Sequence, residues 1–183
     1  MKNSIPFQNI RLSSERLVLR PVLPKDKAII YQLRADPEIN QFIIRDLMKD
    51  DQAAIDFIKS MQTKIQANLV LYLILETKKE GHPLGSICLW NFSEDSKTAE
   101  LGYTLHTLFH GKGYMQEAVR TILNFGFETL DLEQVEAFTH YANARSLHLL
   151  EKNYFLKKPE RKDPGFDHNV IYVLSKDDWL RFN

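Results

Sequence analysis

The chain has 183 residues, with 24 Lys+Arg against 24 Asp+Glu, 44% apolar residues and 26% charged ones. That length favours one domain over 1–183, with a core from about 11 to 180, able to bury about 70% of its unfolded surface; zero net charge excludes the global basic field that drives non-specific nucleic-acid binding. With one cysteine, Cys88, no leader-like apolar start and no run of ~18 apolar residues, a soluble cytoplasmic protein without membrane or nucleic-acid partners is expected.

Leu17 and Leu19 alternate through 16–20 and predict a first strand, stopped by Pro21 and Pro24. Ala28, Ile29 and Leu33 then predict a helix over 25–35, ended by Asp36-Pro37, and Ala54, Ile55, Ile58, Met61 and Ile65 a second over 51–66. The apolar run 69–75 reads as a buried strand, joined through the turn 78–83 to a strand over 84–90. After another polar turn, Leu101, Tyr103 and Leu105 alternate through a strand over 99–106. A long amphipathic helix runs from Met115 to near Leu130, a strand from Gln134 to Thr139, a helix from its N-cap Asn143, and a last strand from Val170 to Leu174. Strand, two helices, three strands, helix, strand, helix and strand make an α/β (α+β) protein with a mixed, mostly antiparallel sheet flanked by helices.

The segment Phe109, His110, Gly111, Lys112, Gly113, Tyr114, Met115 lies between a predicted strand and the long helix. Two alternate glycines let the backbone curl around an anion, and the free N–H groups of the first helical turn point at it; a phosphate is the expected ligand, with Lys112 adding charge. A helix-opening turn with glycines for geometry alone is the competing reading. A P-loop is excluded because Tyr114 follows Gly113, and a dinucleotide fingerprint because Gln116 stands where its third glycine belongs. Cys88, between Ile87 and Leu89, reads as an inert buried thiol. His106 and His110 span a strand end and a loop, and no metal site is expected.

Four blocks together resemble the GNAT superfamily of N-acetyltransferases, particularly its ribosomal-protein (RimJ/RimL-like) branch. They are Ser14-Glu15-Arg16-Leu17-Val18-Leu19-Arg20-Pro21, Ala99-Glu100-Leu101-Gly102-Tyr103, Gly111-Lys112-Gly113-Tyr114-Met115-Gln116-Glu117-Ala118, and Asn143-Ala144-Arg145-Ser146 ahead of Leu150-Glu151-Lys152-Asn153-Tyr154-Phe155. The resemblance implies acetyl-CoA as donor, its pyrophosphate on the loop from Phe109 to Met115 and its pantetheine beside the strand ending at Leu105 and His106. It also implies that Asn143 contacts the cofactor and that Ser146 lies near the sulfur, where its hydroxyl assists the departing thiolate. Leu108 and Tyr154 depart from the family pattern, which usually has a polar residue and a glycine there. His168 stands where relatives often carry an acid, and a solvated turn is the favoured reading.

Acyl transfer requires a neutral amine, so a base must take its proton. Glu100, on the strand beside the cofactor, is the best-placed carboxylate, and partial desolvation there raises its pKa; pairing with a cation or water is the equal alternative. The branch resemblance points to a protein N-terminal α-amine as acceptor. A polyamine, amino acid or aminoglycoside stays open, as does a non-catalytic acyl-CoA-binding module. Dimers are common in the superfamily, but no apolar stripe in this chain predicts one.

Overall fold

The computed structural model describes residues 5–182, in which eight strands form one sheet in the order β1-β2-β3-β4-β5-β6-β8-β7. β1 (Leu12–Ser13), β2 (Leu17–Pro21), β3 (Leu71–Thr77), β4 (Pro83–Trp90) and β5 (Thr98–Leu105) form an antiparallel run, and β6 (Gln134–His140), β7 (Leu156–Lys157) and β8 (Asn169–Ser175) a second. The runs meet at β5 and β6, which pair in parallel over only three positions, Thr98 to Glu100 opposite Gln134 to Glu136. Beyond Glu100 the strands part, which opens the sheet in its middle.

The helices are α1 (Lys27–Ala35), the single turn α2 (Pro37–Asn40), α3 (Asp51–Gln66), α4 (Tyr114–Asn124), α5 (Ala144–Lys152) and α6 (Lys176–Phe182). α4 crosses from β5 to β6 and buries Met115, Ala118, Val119, Ile122 and Leu123, as its helical spacing dictates. The mixed, mostly antiparallel α/β architecture is thus as expected, and the predicted strand and helix order holds.

Several boundaries differ for physical reasons. The expected helix to Leu130 ends at Asn124 and widens into a π-helical turn over Phe125–Thr129. Gly126 there packs where a Cβ would come within 3.4 Å of Leu89 and Leu132, and Phe127 reaches the ring of Trp179. The strand expected over 69–75 runs over Leu71–Thr77, because Asn68 takes a positive φ and Leu69 stays 64% exposed in the turn. β1, β7, α2 and α6 are too short for a periodic signal. α6 nevertheless drives Trp179 into the core, with its indole N–H on Asn124 Oδ1 at 3.1 Å.

Candidate active site

A cavity of about 1670 Å³ runs through the split, from Gly111 and Gly113 to Arg34 and Arg45. Single-ligand pockets are ~300–1,000 Å³, so there is room for two reactants. On the donor side, His106 N–H bonds Leu84 O, and the antiparallel alternation therefore turns the main-chain groups of Tyr103 and the N–H of Leu105 away from β4 and into the gap. Leu105 is expected beside the pantetheine from the resemblance, whereas the main-chain groups of Tyr103 are not singled out from sequence, because only the parting of β5 from β6 exposes them.

The glycine loop closes that end. Gly111 and Gly113 have φ of 72° and 78°, the left-handed region that side chains strain to enter, and Gly113 is the N-cap of α4. Arg16 ties the loop to the sheet: its guanidinium donates to Glu117 Oε2 at 2.7 Å and to the Lys112 carbonyl at 3.0 Å, and lies 4.5 Å over the Tyr114 ring. Glu117 also accepts from Ser14 Oγ and the Arg16 N–H, both at 2.6 Å; these bonds to Ser14 and Arg16, with the Arg16 charge, hold its carboxyl below the ordinary value against the opposing effect of burial, the largest single influence. Two blocks a hundred residues apart thus make one clamp.

Arg145, which can only donate, bonds His110 Nδ1 at 2.8 Å, so His110 Nε2 carries the hydrogen it places on the Leu105 carbonyl at 3.0 Å. That carbonyl is therefore engaged by the protein, leaving Leu105 its N–H for a ligand. Phe109, His110, Tyr114 and Met115 line the cavity with the glycines, whereas the Lys112 amine lies 5.6 Å from the Phe109 ring centre and Lys112 is not among the lining residues. Leu108 is 70% exposed, and Tyr154 adopts φ 66°, which explains why glycine suits that position; here its ring stacks on Phe182 at 5.0 Å.

Asn143 caps α5, accepting the Ser146 N–H at 3.2 Å. The buried Ser146 places its Oγ 2.7 Å from the Tyr103 hydroxyl, joining α5 to β5 across the gap. Burial pushes the Tyr103 phenol up to about 12, so it keeps its proton at neutral pH; either hydroxyl of the pair can donate, and with Tyr103 as donor the serine's own hydrogen is left for the cavity.

The opposite face of β5 carries Glu100 and Gly102, beside Trp90 and Cys88 of β4. A side chain at position 102 would press within 3.0 Å of Cys88 Sγ, so glycine keeps this floor open. Glu100 is half-buried and accepts a hydrogen bond from Asn91 Nδ2. Desolvation, together with Glu136 and Asp163 nearby, raises its pKa against the opposing effect of Asn91. Glu136 differs: Arg161 grips both its oxygens at 2.7 and 2.8 Å. Among the described residues Glu100 has no cation, so of these two neighbouring acids it is the one able to accept a proton. Cys88 lines the cavity, but burial pushes its thiol up to about 12 and denies it the thiolate form. His168 lies in an exposed turn with its ring 5.4 Å from that of His140. Among the described residues no trio of His, Cys, Asp or Glu gathers for a metal, and no helix is long and apolar enough to cross a membrane.

A sheet split beside a glycine-opened helix, with a serine–tyrosine pair over the gap, is the framework of an acyl transferase. Residues 16–155 match the family model of the acetyltransferase (GNAT) domain, and the chain belongs to that family, as an N-acetyltransferase. It is 29% identical to the N-acetyltransferase p20 of Bacillus licheniformis over 83% of this chain and 85% of that protein. Similar solved structures include RimJ of Mycobacterium smegmatis in complex with CoA-disulfide (TM-score 0.82, 16% identity, 94% of this chain and 90% of that one). Another is the ribosomal-protein-S5-alanine acetyltransferase of Vibrio fischeri (TM-score 0.77, 19% identity, 93% and 99%).

Proposed function

We propose that the protein transfers the acetyl group of acetyl-CoA to a protein N-terminal α-amine in the cytoplasm. The observation that carries this reading is the gap past Glu100, where unpaired main-chain groups, the glycine loop and the Tyr103–Ser146 pair converge on one side and Glu100 on the other. When bound, acetyl-CoA supplies an activated thioester. The loop from Phe109 to Met115 holds its pyrophosphate through backbone N–H groups, and Tyr103, Leu105 and Asn143 orient its pantetheine.

Glu100 takes the proton that the amine must lose, directly or through water, and its raised pKa makes it a better acceptor than an ordinary surface carboxylate. The main-chain N–H groups facing the gap polarise the carbonyl, and Ser146, held by Tyr103, donates a hydrogen bond to the sulfur as the C–S bond breaks, so that the CoA thiolate leaves and takes its proton from solvent. An α-amine, with pKa about 8, reaches the neutral form far more readily than a lysine at about 10.4, which favours an N-terminus as acceptor. The test is thiol release from acetyl-CoA with pooled N-terminal peptides, polyamines and small amines at about pH 8. Release that depends on the peptide pool is the expected result; acetyl-CoA binding with no release from any pool refutes the transferase and leaves a binding module.

A further inference from the structure

The acceptor end of the cavity is bounded by the close of α1 and the segment that follows it. Arg34, in the last turn of α1, lies 4.1 Å over the Phe57 ring, and Phe57 in turn meets the edge of Tyr72 on β3 at 5.6 Å. Arg45 reaches back to the same helix end, its Nε donating to Asn40 Oδ1 at 2.7 Å and its Nη2 to the Leu33 carbonyl at 3.2 Å. Asn40 is buried and spends its amide on the Leu33 and Asp36 carbonyls, and Met48 N–H bonds the Arg34 carbonyl at 3.0 Å. The segment is stapled, and both guanidinium groups are held where they stand.

Among the described residues neither arginine is in an ion pair; Glu38, which lines the same cavity, bonds neither. No fully buried side-chain nitrogen among those residues lacks a partner, so the N–H groups of Arg34, for which no protein acceptor is found, open onto the cavity. Arg45 Nη1 is likewise unused. Desolvation, and for Arg45 the neighbouring Arg34 charge, lower both pKa values, that of Arg45 to about 10. Two close, partly desolvated cations, Arg34 with its whole fork of donors and Arg45 with its Nη1, form a cradle for a carboxylate or phosphate. Elsewhere the protein treats arginine differently: Arg20, more deeply buried, is saturated by Asp26 and Glu76.

We propose that Arg34 and Arg45 form an anion-recognition subsite, and that the amine acetylated here carries a carboxylate or phosphate several bonds away from it. Tyr72, Cys88 and Gly102 stand opposite one another on three adjacent strands, so Tyr72, beside the arginines, is about 10 Å from the floor next to Glu100. That span, shortened by the reach of the arginines, exceeds the separation of amine and acid in a free α-amino acid. It suits an acidic side chain near a peptide N-terminus, or the phosphate of an amino sugar.

The inference rests on the transferase reading, and its test separates the two. Acetyl-CoA turnover is measured for the wild type and Arg34→Gln with matched acceptors. These are hexapeptides bearing glutamate or glutamine at their second and third positions, and glucosamine with or without a 6-phosphate. In the wild type kcat/KM for the anionic member of one pair exceeds its neutral twin by about tenfold or more, chiefly through KM, and in Arg34→Gln the ratio falls to within about twofold. The arm that responds names the source of the anion. Absence of preference in both arms, or an unchanged ratio in the variant, overturns the subsite. If no acceptor is turned over, the transferase reading falls, and the subsite is read by titrating the glutamate hexapeptide and the sugar phosphate by calorimetry with CoA present. Binding weakened about tenfold in Arg34→Gln sustains it, and equal or absent binding overturns it.

Discussion

The donor and acceptor halves of the cavity hold their charged groups differently. On the donor side the acid Glu117 is paired with Arg16, Arg145 is anchored on His110 Nδ1 rather than on an acid, and Ser146 faces Tyr103. On the acceptor side Glu100, Arg34 and Arg45 lack a partner of opposite charge among the described residues. Where the protein pairs its own charges it builds a rigid cradle for a ligand bound largely through backbone. Where it leaves them unpaired, a substrate completes the site, since isolated desolvated charges are costly to hold otherwise.

The largest effect that would break this contrast comes from Glu100. Replacing it by Gln removes the proton acceptor and lowers kcat/KM by about 10³-fold, measured by thiol release, while acetyl-CoA affinity changes little. An equal loss of affinity would return Glu100 to the donor half. Ser146→Ala lowers kcat by about 10²-fold with acetyl-CoA Kd, by calorimetry, nearly unchanged. Tyr103→Phe follows in the same direction but less, because the serine keeps its hydroxyl and loses only its positioning bond.

Gly113→Val tests the donor half itself. It demands a left-handed β-branched residue beside Arg16 and weakens acetyl-CoA binding by about tenfold, before any change in acceptor KM. The smallest effect is a displacement in pH. Glu100 must be ionised to act, and its pKa is raised, so activity rises with pH through a midpoint above the usual carboxylate range. Asn91→Ala removes the bond that favours the ionised form, and the acid limb of kcat/KM moves upward. A downward movement would show that another group sets that limb.

Much of the fold was legible because its elements bury one face. α4 repeats its apolar residues at helical spacing, and β5 alternates Leu101, Tyr103 and Leu105 with polar or small neighbours. The glycine loop was legible because positive φ narrows the choice of residue. Arg34 and Arg45 were not, since a basic residue closing a helix is the ordinary complement to its dipole and a lone arginine in a connecting segment carries no pattern. Tyr103 was legible only as a strand residue, for its bond to Ser146 spans 43 positions.

Periodicity and glycine placement are local constraints that survive without partners, so the mixed α/β order, the family and the glycine turn that opens α4 were readable from the amino-acid sequence alone. It took the packed fold to show that Ser14 and Arg16 clamp Glu117, that Tyr103 pairs with Ser146, and that among the described residues Glu100 rather than Glu136 lacks a cation. Those relations depend on strand order and on the parting of β5 from β6, and the free energy of a charge depends on which distant residues the fold brings beside it.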